Sequence, residues 1–108
     1  MKKIAAIDIG SNAIRMLICY VLINKNESFF QKNQYIRLPL RLGEDSFKTG
    51  YISDDKINTL SNALLSFKYT MKVHEVEHYQ IYATSALRDS KNSNDVIKQI
   101  YDLTGMKI

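Results

Sequence analysis

The sequence predicts a small α/β domain, in which three antiparallel strands precede a helix, a fourth strand and a second helix. Two apolar runs flank the polar turn Gly10-Ser11-Asn12, which is the pattern of a β-hairpin. A helical repeat of apolar residues spans 54–72, and a short strand pattern follows it at 79–84. The length of 108 residues suits one domain of this kind.

The first part of the chain forms an antiparallel meander of three strands. The hairpin strands cover residues 4–9 and 13–23, and a second turn at Asn24-Lys25-Asn26 leads into a third strand over 27–38. Pro39 disfavours continuation of the ladder because it has no N–H to donate. Residues 40–52 contain two glycines and no clear period, so they are predicted to be an irregular connection.

Two amphipathic helices are predicted in the second part of the chain. Ser53 is the expected N-cap of the first, and Ser93 or Asn94 is the expected N-cap of the second, which Gly105 ends. The predicted buried side chains of these helices are Ile57, Leu60, Leu64, Phe67 and Met71, then Val96, Ile97, Ile100, Tyr101 and Leu103. Residues 106–108 resemble the beginning of another strand.

The turn after the first strand is the candidate site. Gly10 permits close approach of an anion, and successive turn amides can point at one oxyanion. Ser11 and Asn12 add side-chain donors, and Asp8 at the strand end offers a carboxylate to a hydrated divalent cation. An ordinary hairpin turn has the same composition, so the pattern alone leaves that alternative open.

Two other motifs are candidate sites. Arg88 follows the end of the fourth strand, where its planar fork suits a phosphate, although an ion pair with Asp89 is the alternative. The residues from His74 to His78 match the His-Glu-x-x-His spacing of zinc enzymes. We expect them in a connector between helix and strand, where the two histidines are solvated and hold no zinc.

Composition excludes several classes of protein. The net charge is +4, but the Lys and Arg residues are not clustered into a dense basic block, so no DNA partner is expected. Cys19 is the single cysteine, which excludes an internal disulfide and fits a reducing compartment. No run is long enough for a signal peptide or a membrane span. We therefore expect a cytoplasmic protein with no membrane partner.

The element order matches most of a ribonuclease-H-like half-domain, as used by the superfamily of actin, Hsp70 and sugar kinases. With its motifs, the sequence resembles the exopolyphosphatase and guanosine pentaphosphate phosphohydrolase family, Ppx/GppA. Three segments carry the resemblance across essentially all of the chain. They are Ala6-Ile7-Asp8-Ile9-Gly10-Ser11-Asn12 with Arg15 and Leu17, Arg41-Leu42-Gly43-Glu44, and Ala83-Thr84-Ser85-Ala86-Leu87-Arg88.

The resemblance implies hydrolysis of a terminal phosphoanhydride in polyphosphate or guanosine pentaphosphate, with Mg²⁺ or a similar cation as cofactor. It places the first phosphate loop at Gly10, Ser11 and Asn12 with Asp8 as the metal ligand, and it places Arg88 at the same cleft. Ala13 stands where family members commonly have serine, so one hydroxyl is missing.

The resemblance also implies that parts of the site are absent from this sequence. The family's general base is a glutamate just beyond Ile108, and a second phosphate loop lies further on. We therefore expect residues 1–108 to be the truncated N-terminal lobe, without the last strand and helix of the half-domain, and inactive alone. We also expect an uncovered sheet edge to drive self-association, such as a homodimer.

Two other functions are compatible with the sequence. A phosphate- or nucleotide-binding regulatory module would bind the same ligands without hydrolysing them. An ATP-binding lobe like those of actin or the sugar kinases would share the Asp-x-Gly turn. Release of phosphate from long polyphosphate distinguishes a hydrolase from the regulatory module, which would bind polyphosphate without releasing phosphate. ATP binding without a response to polyphosphate would favour the ATP-binding lobe.

Overall fold

The computed structural model describes residues 2–24 and 26–108 of the chain. Its elements are, in chain order, β1 (Lys2–Ile9), β2 (Ala13–Asn24), β3 (Glu27–Pro39), α1 (Leu42–Thr49), α2 (Asp54–Val73), β4 (His78–Ala83), α3 (Ser85–Arg88) and α4 (Ser93–Thr104). The predicted order of strands and long helices is confirmed, and two short helices, α1 and α3, are added to it.

The four strands form one sheet in the order β3-β2-β1-β4. Strands β1, β2 and β3 are antiparallel neighbours, and β4 lies parallel to β1, as predicted. Gly10-Ser11-Asn12 connects β1 to β2. The second predicted turn includes Lys25, which lies outside the described residues. Strand β3 ends at Pro39 on an edge of the sheet, where a missing N–H is tolerated.

The two faces of the sheet differ in burial because side chains alternate along each strand. Ile7 and Ile9 of β1 are fully buried, together with Met16 and Ile18 of β2, whereas Asp8 between them lies on the opposite face. The same core takes in side chains of α2 and α4. On the opposite face the apolar side chains remain half-buried or exposed, among them Ile4, Ala6, Leu17 and Val21.

Helix α2 forms as the sequence predicts. The Ser53 hydroxyl accepts a hydrogen bond from the Lys56 N–H at 3.3 Å, and Asp54 and Asp55 occupy the first turn, where the helix dipole favours negative charge. All five predicted apolar side chains of this helix are buried. No helix in residues 2–24 and 26–108 combines the length and hydropathy needed to cross a membrane.

The prediction for α4 is partly wrong. Val96 and Ile100 are buried as expected, but Tyr101 and Leu103 are 54% and 55% exposed. Helix α4 begins at Ser93, and its N-cap is Asn92. The predicted caps Ser93 and Asn94 therefore both lie inside the helix. Gly105 ends the helix with a left-handed backbone, as the sequence predicts.

The connection over residues 40–52 was wrongly predicted to be irregular, because it contains helix α1. Its buried face consists only of Leu42 and Ser46, four residues apart, while Phe47 is 65% exposed. Gly43 is a weak helix former, so neither propensity nor periodicity marks the segment. Gly50, with φ 83°, supplies the left-handed C-cap that ends it.

Two other segments differ from the prediction. Ser85 to Arg88 form one helical turn, in which the Arg88 N–H donates to the Thr84 carbonyl at 2.9 Å, and do not extend β4. Residues 106–108 form no strand with the described part of the chain. The Met106 N–H donates to the Thr104 hydroxyl at 3.0 Å, and the Met106 side chain is fully buried.

The His-Glu-x-x-His segment lies in a connector, as predicted. His74 caps the end of α2, Glu75 has a left-handed backbone with φ 59°, and His78 begins β4. The two histidines therefore do not share one helical face. In the part of the chain that the structure describes, no group of three or more His, Cys, Asp or Glu side chains could hold a metal ion.

Strand β4 is an edge of the sheet whose only strand partner among the described residues is β1. Tyr79 and Tyr82 on this strand are 40% and 58% exposed. Because an uncovered edge strand presents unpaired backbone groups to other chains, we expect the protein to self-associate through β4, most simply as a homodimer. Size-exclusion chromatography with light scattering over a range of concentrations measures this.

A double variant, Tyr79→Lys with Tyr82→Lys, tests whether β4 forms the contact. Lysine on an edge strand opposes pairing, so this variant is expected to be monomeric. Tyr69→Lys is the matched control, since Tyr69 is 61% exposed and belongs to α2 and not to the edge strand. A monomeric parent chain at every concentration would contradict the expectation.

Candidate phosphate-binding site

The turn between β1 and β2 is tight and fixed in geometry. The Gly10 N–H donates to the Ala13 carbonyl at 2.9 Å. A Cβ atom at position 10 would lie 3.0 Å from that same carbonyl oxygen, so a side chain there would force the turn to shift. Ser11 is half-buried and Asn12 is exposed. This turn is therefore accessible to a ligand, and its first position leaves little space for a side chain.

The start of α1 holds the turn from one side. The Asn12 carbonyl accepts hydrogen bonds from the N–H groups of Leu40 and Arg41, at 3.0 and 2.9 Å, and the Ser11 carbonyl accepts one from the Gly43 N–H at 2.9 Å. Within residues 2–24 and 26–108, the N–H groups of Ser11 and Asn12 donate to no protein acceptor. The turn thus has fixed carbonyls and two free donors, which is the arrangement that a bound anion needs.

The third sequence motif meets the turn at the end of β4. Both the N–H and the hydroxyl of Thr84 donate to the Ile9 carbonyl, each at 3.0 Å, directly before Gly10. Helix α3 follows, and the buried Ser46 hydroxyl of α1 donates to the Ala86 carbonyl of α3 at 2.6 Å. The three segments that the sequence singled out are therefore joined by hydrogen bonds into one unit.

Arg88 lies on α3 with its side chain 65% exposed. Its Nε donates to the Asp89 carboxylate at 3.2 Å, so the ion pair that the sequence left as an alternative does form. In the described part of the chain its guanidinium makes no hydrogen bond to the turn. An exposed pair of this kind contributes little stability, so the guanidinium is free to exchange Asp89 for an anionic ligand.

Asp8 is the one acidic side chain of β1 and stands opposite Arg15 of β2. Its carboxylate lies 3.9 Å from the Arg15 guanidinium, and the two side chains are 42% and 48% exposed. A single accessible carboxylate fits Mg²⁺, which usually takes one or two protein carboxylates and completes its shell with water and substrate phosphate. Asp8 could hold such an ion, and that role stays a prediction.

Sequence reasoning gave no role to Arg37. This residue stands opposite Arg15 in the β2–β3 ladder, so Asp8, Arg15 and Arg37 form a row across three strands. A cavity of about 440 Å³ opens next to Asn12 and is lined by Arg37, Pro39, Arg41 and Glu44 as well. Only the register of β3 against β2 reveals this row, because residues 15 and 37 are far apart in sequence.

The chain is similar to known proteins over most of its length. The model of the Ppx/GppA phosphatase family matches residues 21–108. The bifunctional 3-dehydroquinate synthase/phosphatase of Fusobacterium nucleatum is 35% identical over 107 residues, which are 96% of this chain and 16% of that protein. Exopolyphosphatase 2 of Mycobacterium tuberculosis is 29% identical over 105 residues, which are 97% of this chain and 33% of the relative.

Solved structures agree on the fold. The Ppx/GppA family member of Aquifex aeolicus superposes with a TM-score of 0.85 at 24% identity, covering 98% of this chain and 33% of that one. An exopolyphosphatase from Cytophaga hutchinsonii gives 0.84 at 23% identity with the same coverage. The predicted ribonuclease-H-like, actin-like fold is thereby confirmed. The chain spans about a third or less of the length of these relatives, and it belongs to the Ppx/GppA phosphatase family.

Proposed function

We propose that this chain is the phosphate-binding N-terminal part of a hydrolase that removes the terminal phosphate from inorganic polyphosphate or guanosine pentaphosphate. One observation carries the proposal: the free N–H groups of Ser11 and Asn12 lie on a turn whose carbonyls are held by Leu40, Arg41 and Gly43. Preorganised donors of this kind bind an oxyanion without a further cost of ordering the loop. Membership of the phosphatase family supports the same reading.

In this proposal each site residue has a separate task. The amides of Ser11 and Asn12 bind phosphoryl oxygens, and the Arg88 guanidinium adds a bidentate contact after it leaves Asp89. Asp8 would hold Mg²⁺, and the chemistry that this ion would supply is neutralisation of charge at the transferred phosphoryl group. Gly10 keeps the turn narrow enough for its amides to reach the ligand, because a Cβ there would press on the Ala13 carbonyl.

We expect the 108-residue chain to bind phosphate without efficient turnover. Phosphoanhydride hydrolysis needs an oriented water as well as positioned charge. The family resemblance assigns that task to a glutamate, and to a second phosphate loop, that this sequence does not include. Binding and hydrolysis are therefore separate measurements, and binding is the one that tests this chain.

The test follows the turn amides during titration of the isotopically labelled chain with inorganic phosphate, in the presence and absence of Mg²⁺. The NMR signals of Gly10, Ser11 and Asn12 are expected to shift with a saturable dependence on phosphate. Gly10→Ala is expected to abolish those shifts. Tyr101→Ala is the control, because Tyr101 lies on α4 and is 54% exposed. Unmoved turn amides in the parent chain would refute the proposal.

A further inference from the structure

Asn92 occupies the N-cap position of helix α4, but its side chain makes no hydrogen bond to that helix. Asparagine at an N-cap normally accepts a hydrogen bond from an N–H of the first helical turn. Here the side-chain amide bonds both backbone groups of Ile52, forty residues away. Its Nδ2 donates to the Ile52 carbonyl and its Oδ1 accepts from the Ile52 N–H, each at 2.9 Å. Helix capping therefore does not explain this asparagine.

Two further hydrogen bonds join the same parts of the chain. The Lys91 N–H donates to the Gly50 carbonyl at 2.7 Å, and the buried Ser46 hydroxyl donates to the Ala86 carbonyl at 2.6 Å. Together with the two bonds of Asn92, they connect α1 and the residues that follow it to α3 and the residues that follow it. We call these four hydrogen bonds the α1–α3 brace.

Helix α1 lies between the two halves of the candidate site. Its Gly43 N–H donates to the Ser11 carbonyl of the turn at 2.9 Å, and the brace connects it to α3, which carries Arg88. Helix α3 has only four residues, so it is not stable by itself and depends on its neighbours. Ala86 and Leu87 bury its apolar side, but apolar contacts are non-directional. Hydrogen bonds have preferred directions, so the brace fixes the orientation of α3.

We propose that Asn92 is a positioning residue for phosphate binding, which holds α3 so that the Arg88 guanidinium can reach a phosphoryl group bound at the turn. The inference rests on the proposed function, since it takes Arg88 as a ligand of phosphate. Asn92 is half-buried, and both polar atoms of its amide are bonded to Ile52, so it acts through Arg88 and not on the ligand.

A double-mutant cycle of Asn92→Ala and Arg88→Gln tests this role. The affinity for inorganic phosphate is measured in the presence of Mg²⁺ from the NMR signals of the turn amides. Asn92→Ala alone is expected to weaken phosphate binding about tenfold. In the Arg88→Gln background it is expected to weaken binding less than about twofold, because the group that Asn92 positions is already absent.

Ser46→Ala repeats the cycle at a different bond of the brace and should give the same pattern. It decides the question if Asn92→Ala does not fold, which urea denaturation of each variant shows. Asn33→Ala is the matched control. The Asn33 amide donates to the Tyr20 hydroxyl at 2.7 Å and lies 3.3 Å from a ring nitrogen of His74, so it also joins distant elements but not α1 and α3. Its loss should leave phosphate affinity unchanged.

The outcomes separate the two proposals. If the parent chain binds phosphate but Asn92→Ala weakens binding equally in both backgrounds, or in neither, the positioning role is refuted and the turn site stands. An effect of Asn33→Ala as large as that of Asn92→Ala also refutes the role, because general loss of stability would then explain both. If the parent chain binds no phosphate, the proposed function fails and the positioning role fails with it.

Discussion

Replacing Phe67 with alanine is expected to lower the free energy of unfolding by about 3–5 kcal/mol, because the lost ring leaves a cavity that the core fills only in part. Phe67 is 1% exposed and is among the largest fully buried side chains of the described residues. It lies on α2, within the core that this helix shares with the sheet and α4. Alanine is a good helix former, so the helix itself is not weakened.

Domains of this size are stable by only about 5–15 kcal/mol in total, so the Phe67→Ala variant should lose a large part of its stability. Urea denaturation followed by circular dichroism measures the loss. Tyr69→Ala is the matched control, because Tyr69 is an aromatic residue of the same helix that is 61% exposed. Its change should stay within about 1 kcal/mol, including the loss of its contact with the Lys72 ammonium group. Equal effects of both substitutions would show that Phe67 is not a core residue.

The sequence predicted the parts of the fold that have a strong period or an unambiguous turn. Helix α2 repeats apolar residues from Ile57 to Met71, and the Gly10-Ser11-Asn12 turn separates two long apolar strands. Both signals are local, so they can be read without knowledge of the rest of the chain. Burial then followed the predicted pattern at every position of the α2 stripe.

The missed elements lack such local signals. Helix α1 buries one apolar side chain, Leu42, and one hydroxyl, Ser46, so its amphipathic pattern is too weak to recognise. Its partner is also non-local, since the Ser46 hydroxyl bonds to Ala86, forty residues away. At α4, the exposed positions of Tyr101 and Leu103 show that an apolar residue on a helix is not by itself evidence of burial.

The candidate site shows the same limit. Sequence motifs marked the turn and Arg88, but the hydrogen bonds from Leu40, Arg41 and Gly43 to the turn carbonyls depend on the packing of α1. The row of charged residues through Arg37 depends on strand register, which is set by the complete β2–β3 ladder. The sequence motifs therefore identified the turn and Arg88 as candidate site residues. The hydrogen bonds and the strand register around them could be read only from the three-dimensional structure.

Replacing Arg88 with glutamine is expected to weaken inorganic phosphate binding about 10–100-fold, the range for losing a charge-assisted hydrogen bond. Glutamine can still donate one hydrogen bond but carries no charge and no planar fork. Arg88→Lys keeps the charge without the fork, so it should fall between the parent chain and Arg88→Gln. Calorimetric titration with inorganic phosphate in the presence of Mg²⁺ measures all three.

A second variant, Asp89→Asn, distinguishes the ligand role of Arg88 from its observed ion pair. The Arg88 Nε lies 3.2 Å from the Asp89 carboxylate, and both side chains are more than 60% exposed. If Arg88 must leave Asp89 to bind phosphate, Asp89→Asn removes the competitor and should strengthen binding slightly, while Arg88→Gln weakens it. If instead the ion pair is the only task of Arg88, both substitutions should leave phosphate binding unchanged, and the assignment of Arg88 to the site would be wrong.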